Sequence, residues 1–172
     1  MAQARATDLS FRSEDGGFAL ALPDRARRTM LHACRRADTI EVGGILIGYY
    51  GTTLDRAFVT TASSAPRDSR GGPTWFERGT IGLQRRLDRV WRTKKHFYLG
   101  EWHYHPHASA EPSLADLAQM AAFAKDPAIR CPEPLLLIVG GNPHAHWNMQ
   151  AFVFPREREA LELLPLPECE HL

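Results

Sequence analysis

The chain has 172 residues, a formal net charge of +1, 44% hydrophobic residues and 24% charged residues. This length predicts one domain that buries a sizeable core without disulfides or a structural metal, and the near-neutral charge argues against a nucleic-acid binder. Because the sequence lacks both an apolar run of about 18 residues and the apolar core of a signal peptide, we expect a cytoplasmic protein that does not contact a membrane.

The domain is expected to span residues 16–155. The polar residues 1–15 are predicted to be a mobile N-terminal segment, and residues 156–172 a charged tail with a final helical turn or two. Cys34, Cys131 and Cys169 are far apart and form no CxxC pair, so they indicate reduced structural thiols rather than a disulfide framework or a thiolate zinc site.

Alternating apolar runs predict strands, and apolar residues at three- and four-residue spacing predict helices. In chain order we expect a strand at 17–23, a helix at 24–37, strands at 39–50 and 57–63, a long loop at 64–79, a helix at 80–95, a strand at 96–105, a helix at 113–125, and strands at 135–141 and 146–154. The apolar face of the second helix would hold Ile81, Leu87, Val90 and Trp91. Interleaved helices and strands with a final hairpin predict an α/β (α+β) fold, a mixed sheet flanked by helices.

Residues 100–116, GEWHYHPHASAEPSLAD, concentrate the chemistry of the chain. His103 and His105 share one face of the predicted strand and Tyr104 points to the other. Asp116 follows in the first turn of the next helix. Two imidazoles and one carboxylate leave one tetrahedral position open, a pattern typical of catalytic zinc. Such a site indicates hydrolysis, which also requires a base to move a proton.

A simpler interpretation of the same residues is structural. The segment SLAD matches the capping box that begins many helices, so Ser113 and Asp116 would then only satisfy backbone N–H groups. An HxH pair also arises by chance in a chain with eight histidines. The combination of HxH, a proline-bearing loop and SLAD favours the zinc hypothesis.

The spacing of these residues resembles the signature of the JAMM (MPN+) metalloprotease family. HxHP, then seven residues to a serine and two more to an aspartate, corresponds to His103, His105, Ser113 and Asp116, and the family's glutamate context ExGGxLxG corresponds to Glu41 in EVGGILIG. The resemblance implies an MPN domain over residues 16–155, with a curved, mostly antiparallel sheet between helices, layered as in cytidine deaminases.

The resemblance also implies roles for these residues. His103, His105 and Asp116 would bind one Zn²⁺ per chain. Glu41 would take a proton from the attacking water and later protonate the departing lysine amine, and Ser113 would help to stabilise the oxyanion. Tyr104 departs from the Ser or Thr that many relatives carry between the histidines, and we expect it to tune packing or substrate contact without removing activity.

Other polar residues near the motif are weaker candidates for the site. Glu101 lies two residues before His103 and is a rival base to Glu41. His107 is expected to be a loop residue near the cleft. The second HxH pair, His144 and His146, has no nearby carboxylate and indicates a turn rather than a metal site.

Glycine and tryptophan residues and one long loop are expected to surround the site. Gly43 and Gly44 would let the backbone or the substrate approach closely, or mark a bulge. Trp102 and Trp147 would line the core or the cleft. The long loop at 64–79 is the candidate clamp for a substrate.

The resemblance implies a substrate as well. JAMM enzymes typically cleave after the C-terminal tail of ubiquitin or a ubiquitin-like protein. GEWHxHP followed by EPSxxD looks most like the deconjugating proteases of antiphage (CBASS-type) operons. There, a cGAS-like nucleotidyltransferase is joined through its C-terminus to a target lysine, and E1-like and E2-like enzymes are encoded alongside. Alternatives are a protease for a sulfur-carrier or another bacterial ubiquitin-like protein, and a metal-free MPN interaction scaffold.

Overall fold

The computed structural model describes residues 8–131 and 133–167. Over these residues the chain forms ten strands and three helices: β1 (Leu9–Ser13), β2 (Ala19–Leu22), α1 (Asp24–Ala37), β3 (Val42–Tyr50), β4 (Arg56–Ala62), β5 (Arg70–Gly72), β6 (Trp75–Glu77), α2 (Leu83–Lys94), β7 (Phe97–Pro106), α3 (Leu114–Lys125), β8 (Leu135–Gly141), β9 (Trp147–Val153) and β10 (Leu161–Pro165). No helix in this part of the chain is long and apolar enough to cross a bilayer.

Eight of the strands form one sheet that closes on itself. Their order is β1, β10, β9, β8, β7, β3, β4 and β2, and β2 pairs again with β1. The pairs β2–β4 and β7–β8 are parallel and the others are antiparallel. The predicted fold class, an α+β domain with a mixed, mostly antiparallel sheet, is confirmed. Strands β5 and β6 form a separate hairpin outside the closed sheet.

The main core lies on the inner face of the sheet, against α1. Helix α1 buries Ala26, Met30, Leu31 and Cys34, which recur on one face at helical spacing. Tyr104 of β7 points into the same core. Burial raises the pKa of the Cys34 thiol to about 12, which agrees with a structural thiol.

The outer face of the sheet carries a second, smaller core beneath α3. Met120 and Ala124 of the helix pack there on Leu136 and Ile138 of β8. Because side chains alternate along a strand, the residues of β7 that do not enter the inner core face the side covered by α3. The start of α3 is thereby brought over the end of β7.

The closed sheet extends beyond the predicted limits of the domain. Residues 9–13 lie in the segment expected to be mobile, yet they form β1, and residues 161–165 form β10 where a helical turn was expected. The two strands pair antiparallel, with Phe11 opposite Pro165. Phe11 and Leu163 enter the inner core, so both strands are held by apolar burial as well as by their hydrogen bonds.

The region between β4 and β7 also differs from the prediction. The expected loop at 64–79 contains the β5–β6 hairpin. Helix α2 begins three residues later than expected, after Gly82 in the left-handed conformation. None of its residues is buried, and Trp91 is 51% exposed, so the predicted apolar face of this helix does not enter the core.

Candidate active site

One pocket of about 430 Å³ gathers all five residues that the motif singles out. Glu41 precedes β3, His103 and His105 lie near the end of β7, and Ser113 and Asp116 begin α3. Three separate parts of the chain therefore converge on one cavity. The tip of the β5–β6 hairpin forms another wall of the pocket.

His103, His105 and Asp116 form a compact, buried cluster. One ligand atom from each of the three lies within 4.8 Å of the other two. Nδ1 of His103 is 2.6 Å from Oδ1 of Asp116, and Nε2 of His105 is 3.5 Å from Oδ2. Two imidazoles and a carboxylate are a ligand set of catalytic zinc sites, with one tetrahedral position left over. The donors are close enough to converge on a single ion, so the residues present fit such a metal.

Ser113 and Asp116 also form the capping box of α3, as the SLAD segment predicted. The Asp116 N–H donates to Ser113 Oγ at 3.1 Å, and the Ser113 N–H donates to Asp116 Oδ2 at 2.8 Å. The Ser113 hydroxyl donates to the same Oδ2 at 2.6 Å. Capping and metal binding are compatible, because Oδ1 faces His103 while Oδ2 accepts the bonds of the cap.

These contacts determine the charge state of the cluster. Burial acts to raise the pKa of Asp116, but hydrogen bonds from His103, His105 and Ser113 outweigh it and hold the pKa well below its usual range. The hydrogen bond to Asp116 raises the pKa of His105, although burial opposes the shift. Asp116 is therefore a permanent carboxylate near neutral pH.

Glu41 lines the same pocket as the cluster and is only half-buried. Its backbone N–H donates to the carbonyl of Gly72 in the hairpin at 2.9 Å, which fixes the start of β3. Burial raises the pKa of the Glu41 carboxyl, the Asp116 carboxylate adds to the rise, and His105 and His103 oppose it. A carboxyl with a raised pKa is better suited to accept and return a proton near neutral pH.

Glu101 is fully buried, and both of its oxygens are already engaged. Arg78 Nε lies 2.8 Å from Oε2 in an ion pair, and the Tyr98 hydroxyl donates to Oε1 at 2.9 Å. Glu101 does not line the pocket that holds the metal cluster and Glu41. These contacts favour Glu41 over Glu101 as the base.

Gly43 permits the close packing behind the cluster. A Cβ atom there would lie 2.4 Å from the Trp102 carbonyl oxygen and 2.9 Å from both His103 Cδ2 and Phe76 Cε1. The Phe76 ring packs edge-on against His103, with centroids 5.7 Å apart. At Gly44 a Cβ would lie 2.4 Å from a backbone oxygen of the neighbouring strand. Both glycines therefore serve close approach.

The remaining candidate residues are not members of the three-residue cluster. His107 is exposed, and its N–H donates to the Gly141 carbonyl. His144 and His146 are exposed on the turn between β8 and β9. Trp147 is partly buried against the inner core. None of the four lines the pocket of the cluster.

Trp102 and Tyr104 of β7 point away from the His103, His105 and Asp116 cluster, into the inner core. Trp102 is fully buried, and its Nε1 donates to the Ser63 carbonyl. The Tyr104 hydroxyl donates to the carbonyls of Asp38 and Gly141, at 2.9 and 3.3 Å. Tyr104 thereby joins the end of α1 to the last residue of β8, which is a packing role.

Two residues near the site are not marked by any local sequence pattern. Phe76 contacts His103, and Arg78 pairs with Glu101 across 23 positions of sequence. A carboxylate inside an apolar strand signals the need for a cation, but the chain has 21 Lys and Arg residues and no local pattern that selects one.

Comparison with known proteins agrees with this geometry. The family described as prokaryotic homologs of the JAB domain matches residues 23–153. A relative from Enterobacter hormaechei subsp. hoffmannii, named CD-NTase/cGAS isopeptidase, is 37% identical over 149 residues, covering 87% of this chain and 82% of the relative. A probable metalloprotease from Sinorhizobium fredii is 27% identical over 143 residues, 81% of this chain and 86% of the relative.

The solution structure of protein DSY2949 from Desulfitobacterium hafniense has the same fold, with a TM-score of 0.53 and 23% identity over 81% of this chain and 86% of that one. The JAMM resemblance carried by the motif is thus confirmed by sequence relatives that cover most of the chain. Because the family match covers much more than half of the chain, this protein belongs to the prokaryotic homologs of the JAB domain.

Proposed function

We propose that this protein is a zinc-dependent isopeptidase that cleaves after the C-terminus of a cGAS-like nucleotidyltransferase, or of a ubiquitin-like protein, joined to a target lysine. The observation that carries the proposal is the buried cluster of His103, His105 and Asp116, with Glu41 in the same pocket. The name of the relative at 37% identity, CD-NTase/cGAS isopeptidase, supports the choice of the nucleotidyltransferase.

In this proposal His103, His105 and Asp116 hold the metal. Zn²⁺ bound there supplies a Lewis acid that polarises the scissile carbonyl and acidifies water. The capping bonds on Asp116 Oδ2 and the packing of Phe76 on His103 fix the orientation of two of the three ligands. Such outer contacts typically strengthen metal binding.

Glu41 moves the proton. Its carboxylate takes a proton from water as the oxygen of that water bonds to the scissile carbonyl carbon. When the C–N bond breaks, Glu41 gives the proton to the lysine nitrogen, which leaves as an amine. The raised pKa of Glu41 makes its carboxylate a stronger base for taking the proton from water. The Glu41 carboxylate is thereby restored at the end of the cycle.

Ser113 stabilises the negative charge that develops on the carbonyl oxygen. Ser113 is the N-cap residue of α3 and lines the pocket. In the substrate-free protein the hydroxyl donates to Asp116 Oδ2. It therefore has to rotate towards the substrate oxygen to act there.

The β5–β6 hairpin clamps the substrate tail. Within the described residues β6 pairs with β5 alone, so its other edge has no strand partner. An extended tail adds to such an edge through main-chain hydrogen bonds. Trp75, which lines the pocket and is 51% exposed, offers an apolar surface beside that edge.

The experiment compares wild type with Glu41→Gln. Each protein is assayed for metal by elemental analysis and for cleavage of a CD-NTase whose C-terminus is fused to a reporter protein. We expect about one zinc per chain in both, and a loss of cleavage of roughly 10²–10⁴-fold in the variant. Glu14→Gln, the same change at an exposed carboxylate between β1 and β2 and outside the pocket, is the matched control and keeps full cleavage.

A panel of fusions separates the candidate substrates. Cleavage of a sulfur-carrier or ubiquitin-like fusion in place of the CD-NTase fusion would move the assignment to the processing of that modifier. Absence of both metal and cleavage after zinc is supplied would favour a binding scaffold and overturn the enzyme. Full cleavage by Glu41→Gln would overturn the role of Glu41.

A further inference from the structure

A buried carboxylate lies two residues before the first metal ligand, and the mechanism above does not use it. Glu101 is 0% exposed. Arg78 Nε is 2.8 Å from its Oε2, and the Tyr98 hydroxyl is 2.9 Å from its Oε1. A buried charge that loses its partner is strongly destabilised, so the three side chains form one unit.

A bulge in β7 creates the strand half of this unit. Tyr98 and Glu101 are three residues apart and would face opposite sides of a regular strand. The pairing of β7 with β3 shifts here, since Leu46 is opposite Gly100 while Ile47 is opposite Tyr98. The extra residue turns Tyr98 and Glu101 to the same side.

The third member comes from outside the sheet. Arg78 is the first residue after β6, and its guanidinium also donates to the Gly79 carbonyl at 3.0 Å. Among residues 8–131 and 133–167, Arg78–Glu101 is the one ion pair that joins the hairpin segment to the closed sheet. The hairpin itself lines the metal pocket through Pro73, Thr74, Trp75 and Phe76.

We propose that Arg78 is a positioning residue. Anchored by its ion pair with Glu101, it holds the hairpin wall of the pocket against the strand that carries the two histidines. Loss of this link loosens the hairpin and leaves the rest of the fold unchanged. The loosened hairpin would bind the substrate tail more weakly, and this part of the proposal rests on the proposed function.

The test is amide hydrogen exchange on the full chain without substrate. In Arg78→Met we expect the amides of residues 70–79, and the Glu41 amide that bonds to Gly72, to exchange at least about tenfold faster, while α1 and β8 are unchanged. Tyr98→Phe is the matched control, because it removes a bond to the same carboxylate but leaves the link to the hairpin. Its hairpin exchange stays within about twofold of wild type.

Three outcomes overturn the proposal: unchanged hairpin exchange in Arg78→Met, a uniform increase over the whole fold, or an equal increase in Tyr98→Phe. Should the unpaired Glu101 charge prevent Arg78→Met from folding, the double variant Arg78→Met, Glu101→Gln removes the charge together with the link. That variant must show the same local increase.

Kinetics then test the effect on substrate. With the fusion that the wild type cleaves, we expect KM to rise about tenfold in Arg78→Met with kcat within about twofold, which is the pattern of lost binding. Arg78→Lys restores part of the KM, because it keeps the charge but loses the planar fork. An unchanged KM beside a loosened hairpin contradicts the positioning of substrate. Failure of the wild type to cleave any fusion contradicts the proposed function alone and leaves the exchange result intact.

Discussion

The two sides of the metal pocket are built differently. On one side, His103, His105 and Asp116 are buried, both histidines are paired with the Asp116 carboxylate, and the three are attached to a central strand and a capped helix. On the other, Glu41 is half-buried before the start of β3, beside a hairpin that pairs only with itself among the described strands. The proposed ligands are held by the core, whereas the proposed base and the hairpin are held by a few polar bonds.

This difference suggests a division of labour. A firmly held ligand set keeps donor atoms together before the metal arrives, which favours metal affinity. Lightly held loops and hairpins are the segments that adjust to a ligand. Substitutions on the first side should therefore change metal content, and those on the second side should change turnover or substrate binding.

The largest effect is expected from removing one of the three proposed metal ligands. In Asp116→Ala the metal loses a ligand and α3 loses its capping box, so metal affinity should fall by more than the roughly 10–100-fold that follows loss of an outer-shell partner. Cleavage should fall to background. Elemental analysis after dialysis measures the metal, and His146→Ala, at an exposed histidine of the β8–β9 turn, is the control that keeps it. Full metal content in Asp116→Ala would exclude this residue as a ligand.

A smaller effect separates the two functions of Ser113. Ser113→Ala should lose about 1 kcal/mol of stability with the cap and about 10²–10³-fold in kcat with the hydroxyl donor, and it should keep its metal. Ser113→Thr preserves both the cap and the hydroxyl. Thermal unfolding and kcat are measured on the same samples. A loss of stability with unchanged kcat would leave Ser113 as a cap only.

Gly43→Ala tests how tightly the two sides meet. The added methyl would press on the Trp102 carbonyl, His103 and Phe76, so we expect a loss of about 1–3 kcal/mol and weaker metal binding. In the control Gly51→Ala, the new Cβ meets its nearest atoms at ordinary distances of 3.7–3.8 Å. Urea unfolding compares the two variants, and equal losses would contradict the close approach at Gly43.

The smallest effect is expected from a substitution in the inner core, on the face of β7 opposite the two histidines. Tyr104→Phe removes the hydrogen bonds to the Asp38 and Gly141 carbonyls and should lower the free energy of unfolding by about 1 kcal/mol. Metal content and cleavage should not change, because the side chain points away from the pocket. Loss of metal in this variant would mean that the two faces of β7 are coupled.

The sequence predicted the parts of the molecule whose signals are local. The bounds of α1 agree with the observed helix at both ends, because an amphipathic stripe and a preceding proline mark it. The motif residues converge because strand alternation and a helix cap are short-range rules. The pairing of β1 with β10 and the contact of Arg78 with Glu101 join distant parts of the chain, and no local pattern encodes such partners.

The closure of the sheet bears on how the chain tolerates shortening. A protein trimmed to residues 16–155, the limits expected from sequence, would lose β1 and β10 together. Strands β2 and β9 would then each expose a row of unpaired backbone groups, and the inner core would lose Phe11 and Leu163. Exposed strand edges recruit other chains, so the trimmed protein should self-associate even though every residue of the metal pocket is still present.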